Sequence, residues 1–168
     1  MYLFVDNVQI EYTPLSADCP VGVVTTTTDS LDPGTLRSCV IWANNNPGDN
    51  TITLPAGTYT LTLTGSGEDS AASGDLDVAD ASGGLLTING AGARTTIIDG
   101  NGADRIFDIP PVTGDLSLSD MTLRNGDAQG GVGGAILVYD GTVTLTDVRA
   151  TGNTADKGGV LYVDGSSA

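Results

Sequence analysis

Five carboxylates crowd the stretch Gly65-Ser-Gly-Glu68-Asp69-Ser-Ala-Ala-Ser-Gly74-Asp75-Leu76-Asp77-Val-Ala-Asp80. Glycine and serine separate them, and no core periodicity runs through most of the segment. Hard oxygen donors packed this closely repel one another, and a divalent cation relieves the repulsion by sitting between them. Glu68, Asp69, Asp75 and Asp77 are therefore candidate ligands of a structural Ca2+, although their spacing is not that of an EF-hand. A solvated acidic loop is the alternative. The run Asp99-Gly-Asn101-Gly-Ala-Asp104 also resembles a calcium turn but lacks a distal glutamate, and plain Asx turns account for it equally well.

Acid–base chemistry on an acidic polysaccharide would need such carboxylates together with a basic group for proton abstraction. The chain has no histidine, and its basic groups are Arg37, Arg94, Arg105, Arg124, Arg149 and Lys157. Arg124 and Arg149 are 25 residues apart, a spacing that could stack them on neighbouring coils near Asp120 and Asp147. Charges lining a solvated face explain the same pattern, and no catalytic residue is assigned. Thr-x-Thr runs at Thr58–Thr64 and Thr142–Thr146 raise the idea of ice binding by ranked hydroxyls. Leu85-Leu-Thr-Ile and Asp115-Leu-Ser-Leu-Ser interrupt the ranks, so ordinary solvent-facing strand residues are the preferred reading. Trp42, Tyr59 and Tyr139 are the candidate sugar-stacking aromatics, while Leu36 and Val40 near Trp42 favour packing at a cap.

The 168 residues carry a formal charge of −15, a field that repels phosphate backbones and anionic lipid. Nucleic-acid and membrane-surface roles are excluded as expectations, and no apolar run approaches the ~20 residues of a membrane span. Hydrophobic residues still make up 39% of the chain and charged ones only 16%, so it can bury a core rather than remain a disordered polyacid. Met1 to Asp6 has no basic start ahead of its apolar residues, as an export signal would. A single lysine with many carboxylates, serines and threonines nevertheless points outside the cell or to its surface. Cys19 and Cys39 are the only cysteines. No zinc-type spacing or histidine partner exists, so a disulfide is the expected state in an oxidising compartment, with two unrelated thiols as the alternative.

Residues 1–13 alternate well enough for a strand and resemble the last strand of a carbohydrate-binding jelly roll, or a strand donated to a neighbour. Pro14 to Pro20 reads as a linker, which divides the chain into a segment 1–20 and a main domain 21–168. The β-branched run Val21–Thr28 suits a strand. Asp29 to Thr35 supplies capping residues and a proline for a first helical turn, and Leu36, Val40 and Ala43 recur at helical spacing through Asn44. Two strands follow, at Thr51–Leu54 and Tyr59–Thr64.

From Gly84 onward the sequence repeats. Ile88, Leu118 and Leu145 sit at equivalent places in three versions of one strand, 30 and 27 residues apart. Gly133-Gly134-Ala-Ile136 returns as Gly158-Gly159-Val-Leu161, 25 residues on. Periods of this size, with several short strands each and Asn or Gly at corners, are the mark of a parallel β-solenoid, whereas a β-sandwich would turn every 8–12 residues. Asn89, Asn101, Asn125 and Asn153 are the expected corner residues. The fold class is all-β: a right-handed parallel β-helix with a short N-terminal capping α-helix.

The run Asp32-Pro-Gly-Thr-Leu36-Arg37-Ser-Cys-Val40-Ile-Trp-Ala43-Asn44 resembles the N-terminal motif of secreted right-handed β-helix proteins of the Cys-Ser-Leu-Arg-Glu-Ala type. In that family a Leu-Arg-x-x-Ile-x-x-Ala-Asn helix follows a Cys-Ser pair, whose place is taken here by Gly34-Thr35. Gly67-Glu68-Asp69, Gly74-Asp75-Leu76-Asp77, Ile88-Asn-Gly-Ala-Gly92, Thr96-Ile-Ile-Asp99-Gly100, Arg105-Ile-Phe107-Asp108, Leu123-Arg-Asn125-Gly126 and Gly152-Asn153-Thr154 look like the same family in the same order. The Gly-Gly-Ala-Ile step is also similar to repeats of autotransporter-type adhesins. The resemblance implies a pectate-lyase-like solenoid on, or shed from, a bacterial surface.

The expected function is a secreted or cell-surface structural or adhesive module that binds glycan or a partner protein, without catalysis. One alternative is a carbohydrate-active lyase or hydrolase whose catalytic coils lie beyond Ala168. Another is an extracellular filament subunit, joined by strand donation or by stacking of an open C-terminal coil end.

Overall fold

The computed structural model describes residues 19–111 and 114–165. The strand expected at residues 1–13 and nearly all of the linker after it lie outside the described residues. A single 3-10 turn, Pro20–Gly22, leads into an irregular stretch, and the helix α1 follows at Leu36–Asn44. Leu36, Cys39, Val40 and Ala43 are buried along one face, the i, i+3, i+4, i+7 stripe of an amphipathic helix.

Twelve strands come next among the described residues. They are β1 (Asn50–Leu54), β2 (Gly57–Thr60), β3 (Leu76–Asp77), β4 (Leu85–Gly90), β5 (Thr96–Asp99), β6 (Phe107–Ile109), β7 (Asp115–Ser119), β8 (Thr122–Arg124), β9 (Ile136–Val138), β10 (Val143–Thr146), β11 (Arg149–Thr151) and β12 (Leu161–Val163). The chain deals them in rotation to three parallel four-stranded sheets: sheet A, β1-β4-β7-β10; sheet B, β2-β5-β8-β11; sheet C, β3-β6-β9-β12. The repeat spacings appear directly in the pairing. Ile88 lies opposite Leu118, Leu118 opposite Leu145, and Ile136 opposite Leu161.

Like residues therefore stack in files. Ile52, Ile88 and Leu118 form one buried file in sheet A, and Leu76, Phe107 and Ile136 another in sheet C. Burial alternates along β1, β4 and β7, so one face of sheet A enters the core and the other meets solvent. The helix packs against β1 and β3. Cys39, in its buried face, is joined to Cys19, with their Cα atoms 4.6 Å apart. The glycine pairs of the repeat have a packing reason: a Cβ at Gly134 would collide with the carbonyl oxygens of Gly159 and Thr154 on the next pass of the chain.

Three expectations change. Val21–Thr28 is not a strand: Val21 and Gly22 turn with φ of 52° and 69°, and only Val23 bridges, to Thr53. Pro33 does not open the helix, because Gly34 at φ 83° breaks the chain's path and Thr35 becomes the N-cap. Of the expected corner asparagines, Asn101 and Asn125 have positive φ and Asn153 bridges neighbouring turns, accepting from the Gly126 amide and donating to the Leu123 carbonyl, but Asn89 lies within β4; Asp120 and Asp147 turn the corner between sheets A and B. Their short polar side chains tolerate the left-handed region for the same reason asparagine does.

Thr35 makes a reciprocal cap. Its Oγ1 accepts from the Ser38 amide at 3.0 Å, and Ser38 Oγ accepts from the Thr35 amide at 3.1 Å. Thr35→Ala is expected to cost about 1 kcal/mol. Urea unfolding checks this as a lower midpoint at unchanged slope.

Candidate functional site

The acidic stretch folds into a loop over the outer face of sheet C, and its carboxylates take separate roles. Glu68 accepts from the Ser70 hydroxyl at 2.5 Å and the Ser73 amide at 2.7 Å, tightening the loop on itself. Burial works to raise its pKa, but these hydrogen bonds outweigh that and hold it below its ordinary value. Asp69 is exposed. Asp80 ties a different turn, accepting from Ser82, Gly48 and Gly84. Asp75 and Asp77 are buried, at 6% and 0% exposure. No group of three or more Asp, Glu or Cys side chains placed to hold a metal ion occurs among the described residues.

Leu76 and Phe107 point into the core, so by strand alternation Asp77 and Asp108, register partners on β3 and β6, occupy the opposite face of sheet C. Asp77 Oδ2 accepts from the Ala71 amide at 2.7 Å, while the Oδ1 atoms of both Asp77 and Asp108 are buried without a partner. Arg105 is the cation whose charge acts on Asp75 and Asp108. It reaches Asp104 at 3.7 Å and Asp75 at 3.8 Å and donates to the Val132 carbonyl at 3.0 Å.

Burial is the main cause of the pKa shifts here, and like charges add to it. Asp75 is pushed up to about 8, with Asp104, Asp77 and Asp108 reinforcing the effect and Arg105 opposing it. Asp77 is pushed up to about 7 against the Ala71 hydrogen bond, and Asp108 to about 6 against Arg105. Asp104 is also raised by burial.

The Asp99–Asp104 run is an Asx turn. Asp99 Oδ1 accepts from the Asn101 amide and the Asn125 amide side chain, both at 3.0 Å, and Oδ2 accepts from Arg124 Nε at 2.7 Å. Burial raises this carboxyl, but those hydrogen bonds and the Arg124 charge prevail and keep it below its ordinary value. Asp99, Asn101, Asn125, Asp127 and Thr154 line a cleft of ≈370 Å³ at the corner between sheets B and C.

Arg124 and Arg149 do not stack. In sheet B Arg149 lies opposite Thr122 and Arg124 opposite Thr151, because the spacing there is 27 residues. The 25-residue spacing belongs to sheet C, where the final turn between sheets B and C is two residues shorter. Tyr59 is buried, its hydroxyl donating to the Pro55 carbonyl at 2.9 Å, and Trp42 packs against the core; Tyr139 is 41% exposed.

Sequence reading missed the outer face of sheet A. The register sets Thr51, Thr87, Ser117 and Thr144 in one file and Thr53, Asn89, Ser119 and Thr146 beside it. All eight are exposed or half-buried. The segments that seemed to interrupt the threonine ranks supply their middle members. The signal was present in the 30- and 27-residue spacings, which align Thr87, Ser117 and Thr144 as they align the leucines.

No family model matches the chain, and neither a curated protein nor a solved structure is similar to it.

Proposed function

We propose that this chain is a right-handed parallel β-helix module of a secreted or cell-surface protein, related to the Cys-Ser-Leu-Arg-Glu-Ala type, which adheres to glycan through the outer face of sheet A. The observation that carries the reading is the pair of hydroxyl and amide files on that face. Strands in a parallel sheet lie ~4.8 Å apart, and alternate residues along a strand ~6.6 Å apart. Such a face offers a regular array of donors and acceptors to a polymer that itself repeats hydroxyl groups. The charge of −15 favours a neutral or amino sugar over a uronate.

A glycan array followed by titration with the best oligosaccharide tests the reading. Thr87→Val with Ser117→Ala removes hydroxyls at the centre of the face while leaving the buried side of β4 and β7 intact. Binding is expected to weaken tenfold or more in that variant. Equal binding by parent and variant would refute the assignment of this face, and a blank array would refute glycan adhesion.

A further inference from the structure

Asp77 and Asp108 are register partners on adjacent strands and share the outer face of sheet C, beneath the loop at 65–74. Asp77 is fully buried, and its Oδ2 accepts from the Ala71 amide at 2.7 Å, a bond that favours the ionised carboxylate. Its Oδ1 has no partner. Neither has the buried Oδ1 of Asp108, so two carboxylate oxygens on one face are withheld from water with no donor to replace it. A buried charge left in that state is strongly destabilising, and proteins meet the difficulty by pairing the charge or by coordinating a metal.

The cations of the chain do not supply the pairing. Arg105 is spread over Asp75, Asp104 and the Val132 carbonyl. Arg37 turns its guanidinium to Asp29 and to the Ala71, Gly74 and Asp75 carbonyls. On the far side of Asp108 the register partner is Leu137, buried and without charge. The covering loop brings further carboxylates instead. Those of Glu68 are taken up by Ser70 and Ser73, whereas Asp69 is exposed and its charge acts on both Asp77 and Asp108.

We infer that the Asp77–Asp108 rung is the floor of a structural Ca2+ site, the ion being shared by the two unpartnered Oδ1 atoms and roofed by Asp69 from the loop. All three donors are hard carboxylate oxygens, the ligand type that Ca2+ prefers. Strands ~4.8 Å apart suit an ion with a Ca2+–O distance of ~2.4 Å, because it can sit between donors carried by two neighbouring strands. Mg2+ binds at ~2.1 Å, demands a near-ideal octahedron and keeps most of its water, which a buried floor does not accommodate. The rung alone provides two carboxylates, and Asp69 with water on the open side completes the shell. The ligand set therefore differs from the one that composition suggests: Asp108 belongs to it, while Asp75 is held against Arg105 at 3.8 Å and Glu68 is spent on its own loop. Bound in this way, Ca2+ fastens the loop at 65–74 onto sheet C.

The whole chain, stripped of metal with EDTA and then freed of the chelator, tests the inference. It is titrated with CaCl2 by isothermal calorimetry and melted with CaCl2 or MgCl2 at one ionic strength, which removes general screening of the −15 charge as a cause. One Ca2+ per chain is expected to bind. Tm should rise by about 5 °C or more when Ca2+ stands at ~100 times its Kd, and by less than half as much with Mg2+. Asp108→Asn is expected to fold, since it removes one of two like charges and offers an amide donor to Asp77 Oδ1. Its metal-free Tm should equal or exceed that of the parent, while its Ca2+ affinity falls tenfold or more. Asp69→Asn should also bind Ca2+ more weakly, and Asp156→Asn, which removes an exposed carboxylate elsewhere, should bind as the parent does. Exchange of the Ala71 amide should slow on adding Ca2+ in the parent and stay level in Asp108→Asn. Absence of binding heat and of any Tm rise at millimolar CaCl2 would overturn the inference. So would equal responses to Ca2+ and Mg2+ at matched ionic strength, or a Ca2+ response unchanged in Asp108→Asn. The calorimetric arm uses only the parent, so it decides the matter even if a variant fails to fold.

Discussion

Arg37→Met is expected to cost about 3–5 kcal/mol, the typical penalty for breaking a buried ion pair by removing one partner. The side chain is fully buried, and its Nε lies 2.7 Å from Asp29 Oδ1. Its other nitrogens donate to the carbonyls of Ala71, Asp75 and Gly74 at 2.9, 3.1 and 2.8 Å. Methionine fills much of the volume but leaves the Asp29 carboxylate buried and three carbonyls without donors. Asp29 Oδ2 also accepts from the Thr62 and Leu63 amides, so its displacement would disturb the exit of β2 as well. The arginine thus fastens α1 and its approach to the acidic loop, 34 to 38 residues further on. Thermal melting measures the effect; at about 2–4 °C per kcal/mol for a chain of this size, Tm should fall by about 6–20 °C. A loss under 1 kcal/mol would mean that the guanidinium network adds little beyond packing. Arg37→Lys is a useful companion, since an ammonium keeps the charge but cannot span Asp29 and three carbonyls from one planar fork.

Loss of the Cys19–Cys39 bridge should lower stability by roughly 3 kcal/mol, the chain-entropy value for a closed loop of this length. The bridge ties the segment before the Pro20–Gly22 turn to the buried face of α1, where Cys39 is 0% exposed. Melting the parent with and without a reductant, beside the double variant Cys19→Ala with Cys39→Ala, isolates the effect. Tm should drop similarly under reduction and in the double variant. Reactive thiols in the untreated native protein would contradict the bridge itself. The double variant also separates the bridge from packing: alanine at Cys39 leaves only a small cavity, so most of the loss should come from the released chain.

Much of the fold was legible along the chain because parallel strands that pair in register must repeat the side chains that stack. The spacings between Ile88, Leu118 and Leu145, and between Ile136 and Leu161, became strand pairings without adjustment. The helix was equally readable, since its apolar stripe and its polar approach are both local features. Where expectation failed, local propensity met a longer-range requirement. Val21–Thr28 has the composition of a strand, but Val21 and Gly22 turn the chain and leave it a single bridge to β1. Arg124 and Arg149 share a spacing with the repeat of the wrong sheet.

The site divides in the same way. Composition marked Glu68, Asp69, Asp75 and Asp77 as a group, yet it could not distinguish a carboxylate that caps its own loop from one sealed beneath it. Asp108 carried no signal, because its importance arises from lying opposite Asp77, 31 residues away in the chain. The hydroxyl files of sheet A were written in the repeat but legible only once each strand had its partner. The sequence alone determined which residues stack, since stacking repeats a pattern along the chain. Tertiary structure alone decided which carboxylates lose water, since that depends on a loop closing over a sheet face formed by strands distant in the chain.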